Sequence, residues 1–335
     1  MEWMTPLAYD FLGKPAWIWL LFLGVVATLL VLDLGVLNRR SRAMSVRHSL
    51  ILSALYIAIA MVFGIWLWWE LGRESGIAYF TGFFVEKTLA LDNVFVISLI
   101  FGYFAIPLAL QHRVLFWGIL GVVVLRGIMI ALGAALVTSF AWVMWLFGAF
   151  LVATGIKMLL MDDKPAAIGD NPVLRMLRRR FRVTDRLHGD RFFVRLPDPS
   201  TGRPALWLTP LFLALVLIEL ADLIFAVDSV PAIFAITTDP YIVYTSNIFA
   251  ILGLRALYFA LAAMVHRFRH LKPALALVLV FIGGKIFWTQ LYGKLDPAIS
   301  LTVTLALLAG GILLSVVRTR DEHAAPASIP DKETV

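Results

Sequence analysis

At 335 residues the chain is 61% hydrophobic, has only 15% charged residues and carries a formal net charge of +7. A soluble domain is nearer half apolar and a quarter charged, so the composition excludes an ordinary soluble enzyme. Cysteine is absent, which excludes disulfides, thiolate metal sites and thiol redox chemistry.

Apolar runs of about 20 residues recur along the whole length, the signature of a polytopic helical membrane protein. Nine spans are expected, at 16–37, 46–69, 78–104, 114–137, 140–161, 205–236, 241–265, 273–291 and 297–317. The first has no basic leader or clear cleavage site and reads as a retained span. Aromatic residues mark many ends, among them Trp17, Trp19, Trp66, Trp142, Trp207 and Trp288, as the headgroup level favours. The histidines (His48, His112, His188, His266, His270 and His323) all fall in loops or at span ends, so no imidazole cluster is expected at depth.

Basic residues alternate between loops. Arg39, Arg40, Arg42 and Arg47 follow span one, Arg113 follows span three, and Arg267, Arg269 and Lys272 follow span seven; the intervening loops are poor. The N-terminus is therefore expected outside and the C-terminus in the cytoplasm. The net charge is explained by this bias, and no nucleic-acid partner is expected. The loop 162–204 holds ten basic and six acidic residues, with Arg175 to Arg182 as its densest run. A short basic helix on anionic lipid is one reading of that run, and positive-inside anchoring is the favoured one. The tail from Asp321 to Val335 is polar and expected to be disordered.

Two stretches carry acids where they are expensive. One is Glu86 to Val94, E-K-T-L-A-L-D-N-V, and the other is Glu219 to Pro231, E-L-A-D-L-I-F-A-V-D-S-V-P. Glu86 to Asp92 and Asp222 to Asp228 are both steps of six, each followed by a small polar residue and valine: Asn93-Val94 and Ser229-Val230. Aligning Asp92 with Asp228 also brings Arg126 near Arg255 and Gly155-Ile156-Lys157 onto Gly283-Gly284-Lys285. Spans three to five and six to eight thus read as copies of one three-span unit. An odd span number gives the copies opposite orientation, an inverted repeat with its site at mid-membrane. The expected fold is all-α, with a two-span segment (1–77), repeat A (78–161), the basic loop (162–204), repeat B (205–291), a last span (297–317) and a tail (318–335).

The acids, with Asn93, Ser229 and Asn247, offer only oxygen ligands, which suits Mg²⁺, Mn²⁺ or Ca²⁺. Arg126 and Arg255 are placed to pair with acids, with Lys285 in support, while Lys157 can snorkel from its span end. A wholly structural set of buried ion pairs is the competing reading. Asp33 reads as a surface partner of Arg39 or Arg40. On a regular helix residues six apart lie about 120° from each other, so the three acids of span six suit one ion only if Pro231 breaks the helix near Asp228. No cofactor motif, phosphate loop or nucleophile–base pair is found, and no enzymatic activity is expected.

The stretches V-E-K-T-L-A-L-D-N-V-F-V, E-L-A-D-L-I-F-A-V-D-S-V-P-A-I-F-A-I-T and T-S-N-I-F-A-I-L-G-L-R-A-L-Y-F resemble the TerC family of integral membrane proteins, closest to its Alx-type branch. The resemblance covers about 16–317 and implies a bacterial inner-membrane protein linked to manganese export, in a family whose name comes from tellurite resistance. Its acidic motif positions fall on Glu86, Asp92, Glu219, Asp222 and Asp228. The expectation is a secondary transporter exporting Mn²⁺, ahead of Mg²⁺ or Ca²⁺, with a proton as a natural exchange partner. The alternative is a membrane stress-resistance or assembly factor without transport.

Overall fold

The computed structural model describes residues 10–35, 46–160, 168–198, 202–261, 272–293 and 295–324. Helices stand at every expected span: α1 (Ala16–Gly35), α2 (Val46–Leu71), α3 (Arg73–Tyr103), α4 (Leu108–Ser139), α5 (Trp142–Leu160), α7 (Pro210–Phe234), α8 (Pro240–Leu252) with α9 (Leu254–Leu261), α10 (Lys272–Tyr292) and α11 (Pro297–Ala324). Among the described residues six helical stretches are long and apolar enough to cross a membrane, and the apolar parts of α1 and α11 are shorter. Their outward faces expose Val31, Val62, Ile65, Leu132, Leu146 and Ile224. Only a hydrocarbon environment makes so continuous an apolar surface favourable, and helices satisfy their backbone within it.

Five departures from the sequence expectation concern element ends, loops and breaks. The first residues of expected span six are not helical. They form β4 (Pro204–Leu208), paired antiparallel with β3 (Phe193–Pro197). A second ribbon, β1 (Asp10–Phe11) with β2 (Lys14–Pro15), precedes α1. The basic loop is also structured, with α6 (Pro172–Arg180) started by Asn171, whose side chain accepts from the Val173 and Leu174 amides. At the other end, α11 runs through Asp321 to Ala324, into the stretch expected to be disordered; 325–335 lie outside the described residues.

The fifth departure is the break itself. Span six is one continuous helix, with Pro231 inside its last turns. The missing proline amide leaves one carbonyl without its usual donor, a small loss so near a helix end. The interruption instead falls in span seven, where Gly253 separates α8 from α9.

Helix α8 is central, and every residue from Thr245 to Leu254 is buried. It packs with α1, α2 and α3 through an aromatic core of Phe22, Phe63, Tyr79, Phe83, Tyr241 and Phe249. The two phenols in that core are satisfied across helices: Tyr79 donates to the Ala60 carbonyl and Tyr241 to that of Ile18, each at 3.1 Å. Around this centre α3 packs on α8, α4 on α7 and α5 on α10. That is an exchange pattern: the first helix of each expected triple meets the second of the other, and third meets third.

Small residues let these backbones approach, as in other membrane bundles. At the α5–α10 crossing a Cβ on Gly283 would come within 2.8 Å of the Gly148 carbonyl, and one on Gly155 within 2.7 Å of the Ala276 carbonyl. Gly284, one residue on, has nothing within 4 Å. Gly283→Ala is therefore expected to destabilise by about 1–3 kcal/mol through overpacking and Gly284→Ala to be near neutral. Thermal unfolding of the two purified variants checks this. Equal melting temperatures would contradict the assigned crossing.

Candidate functional site

The polar centre of the bundle is built on Arg126 of α4, whose side chain is 1% exposed. A guanidinium at such depth loses several kcal/mol of hydration unless its donors are all engaged. Here Nε donates to Asp222 Oδ2 at 3.2 Å and Nη2 to Asp222 Oδ1 at 3.0 Å, a bidentate fork on α7. Nη1 is directed at Glu86 of α3, at Asn247 Oδ1 of α8 (2.6 Å) and at Ser229 Oγ of α7 (3.1 Å). Asn93 Nδ2 closes the ring, donating to Asp222 Oδ1 at 3.3 Å. One cation thus ties four helices together.

Helical spacing explains the membership. Residues seven apart on an α-helix return to nearly the same face, whereas residues six apart do not. Glu86 with Asn93, and Asp222 with Ser229, are both seven-residue pairs. These are also aligned positions of the two expected copies. The six-residue pair Asp222 and Asp228 is not the geometric unit, since the two meet different partners.

The remaining acids go elsewhere. Glu219 projects from α7 against Gly118 and Gly121 of α4, so that a Cβ on Gly121 would overlap its carboxylate. Both its oxygens are buried with no hydrogen-bond partner among the described residues. Asp228 faces α5, where Thr154 Oγ1 donates to it at 3.5 Å. Asp92 falls on α3, Arg255 on α9 and Asp33 on α1, but their side chains lie outside the described residues. Lys285 of α10 donates to Ser300 Oγ at 3.2 Å, and Lys157 is exposed at its span end. Among the described residues no three of His, Cys, Asp or Glu converge as a metal cluster.

The Arg126 cluster is not saturated. Glu86 Oε2 and Asn93 Oδ1 are buried without partners among the described residues. Asn93 and Asp222 also border a cavity of about 40 Å³ walled by Ile97, Leu115, Ile218 and Tyr258. This is room for a water or a bare cation. Beyond it Tyr258 donates to Gln111 Oε1 at 3.1 Å, and Gln111 Nε2 to the Ile106 carbonyl at 2.9 Å. A wider polar pocket of about 220 Å³ lies between α3, α10, α11 and the turn from α7 to α8, lined by Glu74, Ser75, Thr81, Thr237, Asp239, Lys285 and Ser300.

Sequence reasoning gave no role to several of these groups. Lys87 donates to the Ala250 carbonyl at 3.0 Å, at the end of α8 where the Gly253 turn removes the usual donor. A glycine inside the otherwise helical N-I-F-A-I-L-G-L-R was the available signal. Gly121, Thr154 and the Tyr258–Gln111 pair carried none, because each acts through a neighbour distant in the chain.

Removing the guanidinium leaves two buried carboxylates uncompensated. Arg126→Gln is expected to cost about 3–5 kcal/mol, and adding Asp222→Asn to that background should recover part of the loss. Thermal unfolding of both in detergent tests the charge balance. A double variant no more stable than the single one would contradict it.

The family described as "Integral membrane protein TerC family" matches residues 71–323. An "Uncharacterized membrane protein" of Rickettsia bellii is 48% identical over 300 residues, covering 90% of this chain and 97% of its own. A protein of Escherichia coli K12, provisionally named as the membrane-bound redox modulator Alx, is 46% identical over 305 residues, covering 88% and 92%. Its namesake in Photorhabdus laumondii is 44% identical over 313 residues, covering 91% and 95%. No solved structure matches.

Proposed function

The chain belongs to the TerC family of integral membrane proteins, and on that premise we propose that it is a secondary transporter exporting divalent cations, Mn²⁺ foremost, across a bacterial inner membrane. The observation that carries this reading is the pair of buried oxygens, Glu86 Oε2 and Asn93 Oδ1, that have no partner among the described residues and lie in a polar core whose free acceptors are all oxygens, Asn93 beside a cavity. Hard cations want such donors. Carboxylates bind protons as well, which makes proton exchange the natural counter-flow.

In this reading Arg126 is a tethered substitute for the ion. It holds Glu86 and Asp222 while the carrier is empty, so that the return step does not move unpaired charge through hydrocarbon. An arriving divalent cation competes for the same carboxylates and displaces the guanidinium. Glu219, whose oxygens lack partners among the described residues, is the proton acceptor next to this exchange. Asp92 and Asp228 hold the ion in the displaced state, as an outer pair on the inverted copies. The exchange-like pairing of α3 with α8 and α4 with α7 supports that symmetry.

The basic loops orient the path, with N-terminus outside and C-terminus in the cytoplasm. The larger polar pocket, with Glu74 and Asp239, then opens outward, while Tyr258 and Gln111 close the cytoplasmic side. Gly253 and the Lys87 cap mark where α9 can pivot to release that closure. A chain without cysteine has no thiol couple to carry a redox role of the kind in the relatives' name.

One observation favours the competing reading of a scaffold or stress factor: Arg126 already engages both Glu86 and Asp222. The two readings part at acids outside that ring. Everted vesicles with an imposed pH gradient should accumulate Mn²⁺, and Asp92→Asn or Asp228→Asn should reduce the rate at least about tenfold, the worth of one lost charge-assisted ligand interaction, with insertion unchanged. Parental uptake by both variants, at equal expression, would favour the scaffold.

A further inference from the structure

The segment between α5 and α7 has no part in transport as proposed, yet it is folded and docked on the bundle. We propose that α6 and the β3–β4 hairpin form a docking surface for anionic phospholipid headgroups of the adjoining leaflet.

Depth is set by the chain itself. Only Thr209 separates β4 from Pro210, the first residue of the membrane-spanning α7. Phe193 of β3 also packs on Phe212 in the first turn of α7, with ring centroids 4.7 Å apart. The hairpin therefore lies where acyl chains give way to headgroups. Strand alternation puts Val194 inward, buried, and Phe193 and Arg195 outward, with Arg195 opposite Leu206 across the ribbon. Phe193 is 45% exposed and Leu206 58%.

Helix α6 repeats the arrangement. Leu174 and Leu177 are buried in a cluster shared with α3, α4 and α7, including Ile106, Val114 and Leu211. Arg175, Met176, Arg179 and Arg180 occupy the opposite face, with Arg178 exposed at its edge. Met176 is 53% exposed, and Phe181, next after the helix, 54%. The segment is held in place by ion pairs of Arg113 with Asp190 and of Arg182 with Asp198. Arg178, Arg179, Arg180 and Arg195 form no ion pair among the described residues.

Charge alone satisfies a positive-inside bias. It requires neither a helix docked by its leucines nor large apolar side chains exposed beside the arginines. Both features are what an interfacial element needs: apolar groups entering the acyl boundary and planar guanidinium forks meeting phosphate.

The test uses the full chain in nanodiscs of phosphatidylcholine mixed with phosphatidylglycerol, followed by quantitation of the lipid retained after gentle detergent extraction. The parent should retain phosphatidylglycerol over phosphatidylcholine. The variant R178Q/R179Q/R180Q should lower that preference about tenfold or more, since each basic residue near an anionic surface contributes roughly a factor of five. R195Q should add to the loss. Excess inorganic phosphate should leave the retained lipid in place, and displacement by it would overturn the assignment. Because the chain has no cysteine, Ser328→Cys in the tail gives a single label that reports orientation. A triple variant with parental phosphatidylglycerol preference overturns the proposal, whether or not its orientation changes. A lowered preference with parental orientation and melting temperature supports it.

Discussion

A guanidinium enclosed in a bundle whose outer surface meets hydrocarbon has no water to fall back on, and much of this fold answers Arg126. Three helices contribute its acceptors and α4 carries it, so α3, α4, α7 and α8 must hold their rotations about their axes together. A buried ion pair adds little net stability compared with apolar packing, but breaking one side of it is costly. Its value here is registry. A slip of one residue on α7 would take Asp222 and Ser229 off the guanidinium at once.

Close backbone approach makes that geometry reachable. Gly118 and Gly121 bring α4 against α7 where Glu219 projects, and Gly82 accepts Ser246 of α8 against α3. Packed against Gly118 and Gly121, Glu219 has no hydrogen-bond donor among the described residues. The fold thus separates acids by environment. Glu86 and Asp222 are held by charge, Asp228 meets the Thr154 hydroxyl with Lys157 nearby, and Glu219 has no hydrogen-bond partner among the described residues. Groups of one chemical type in such different surroundings differ in how readily they take up a proton or a cation, which is the division of labour that an exchange carrier needs.

The interruption in span seven gives the polar centre a second character. Proline at position 231 breaks little because the helix is nearly over. Glycine at 253 breaks more, since α9 restarts with its own hydrogen bonds and the freed Ala250 carbonyl is taken by Lys87. A lysine reaching into a helix terminus at membrane depth satisfies the carbonyl and opposes the dipole end. Residues that look like spare charges in the sequence are thereby accounted for.

The amino-acid sequence by itself determined that this chain spans a membrane, where its spans lie, and that Arg126 pairs with acids, which the structure shows to be Glu86 of span three and Asp222 of span six. Hydrophobic period and the cost of charge in lipid are local properties, and both are legible residue by residue. It also placed Asn93, Ser229 and Asn247 among the candidates, though it read the six-residue acid spacing as the unit. Tertiary structure alone decided that the seven-residue pairs converge, that Glu219 and Asp228 turn to α4 and α5, and that the helix break belongs to Gly253. The physical reason is that rotation and approach of helices in a bundle are set by which backbones can come close. That depends on glycines and side chains contributed by partners far away in the chain, and no single segment encodes it.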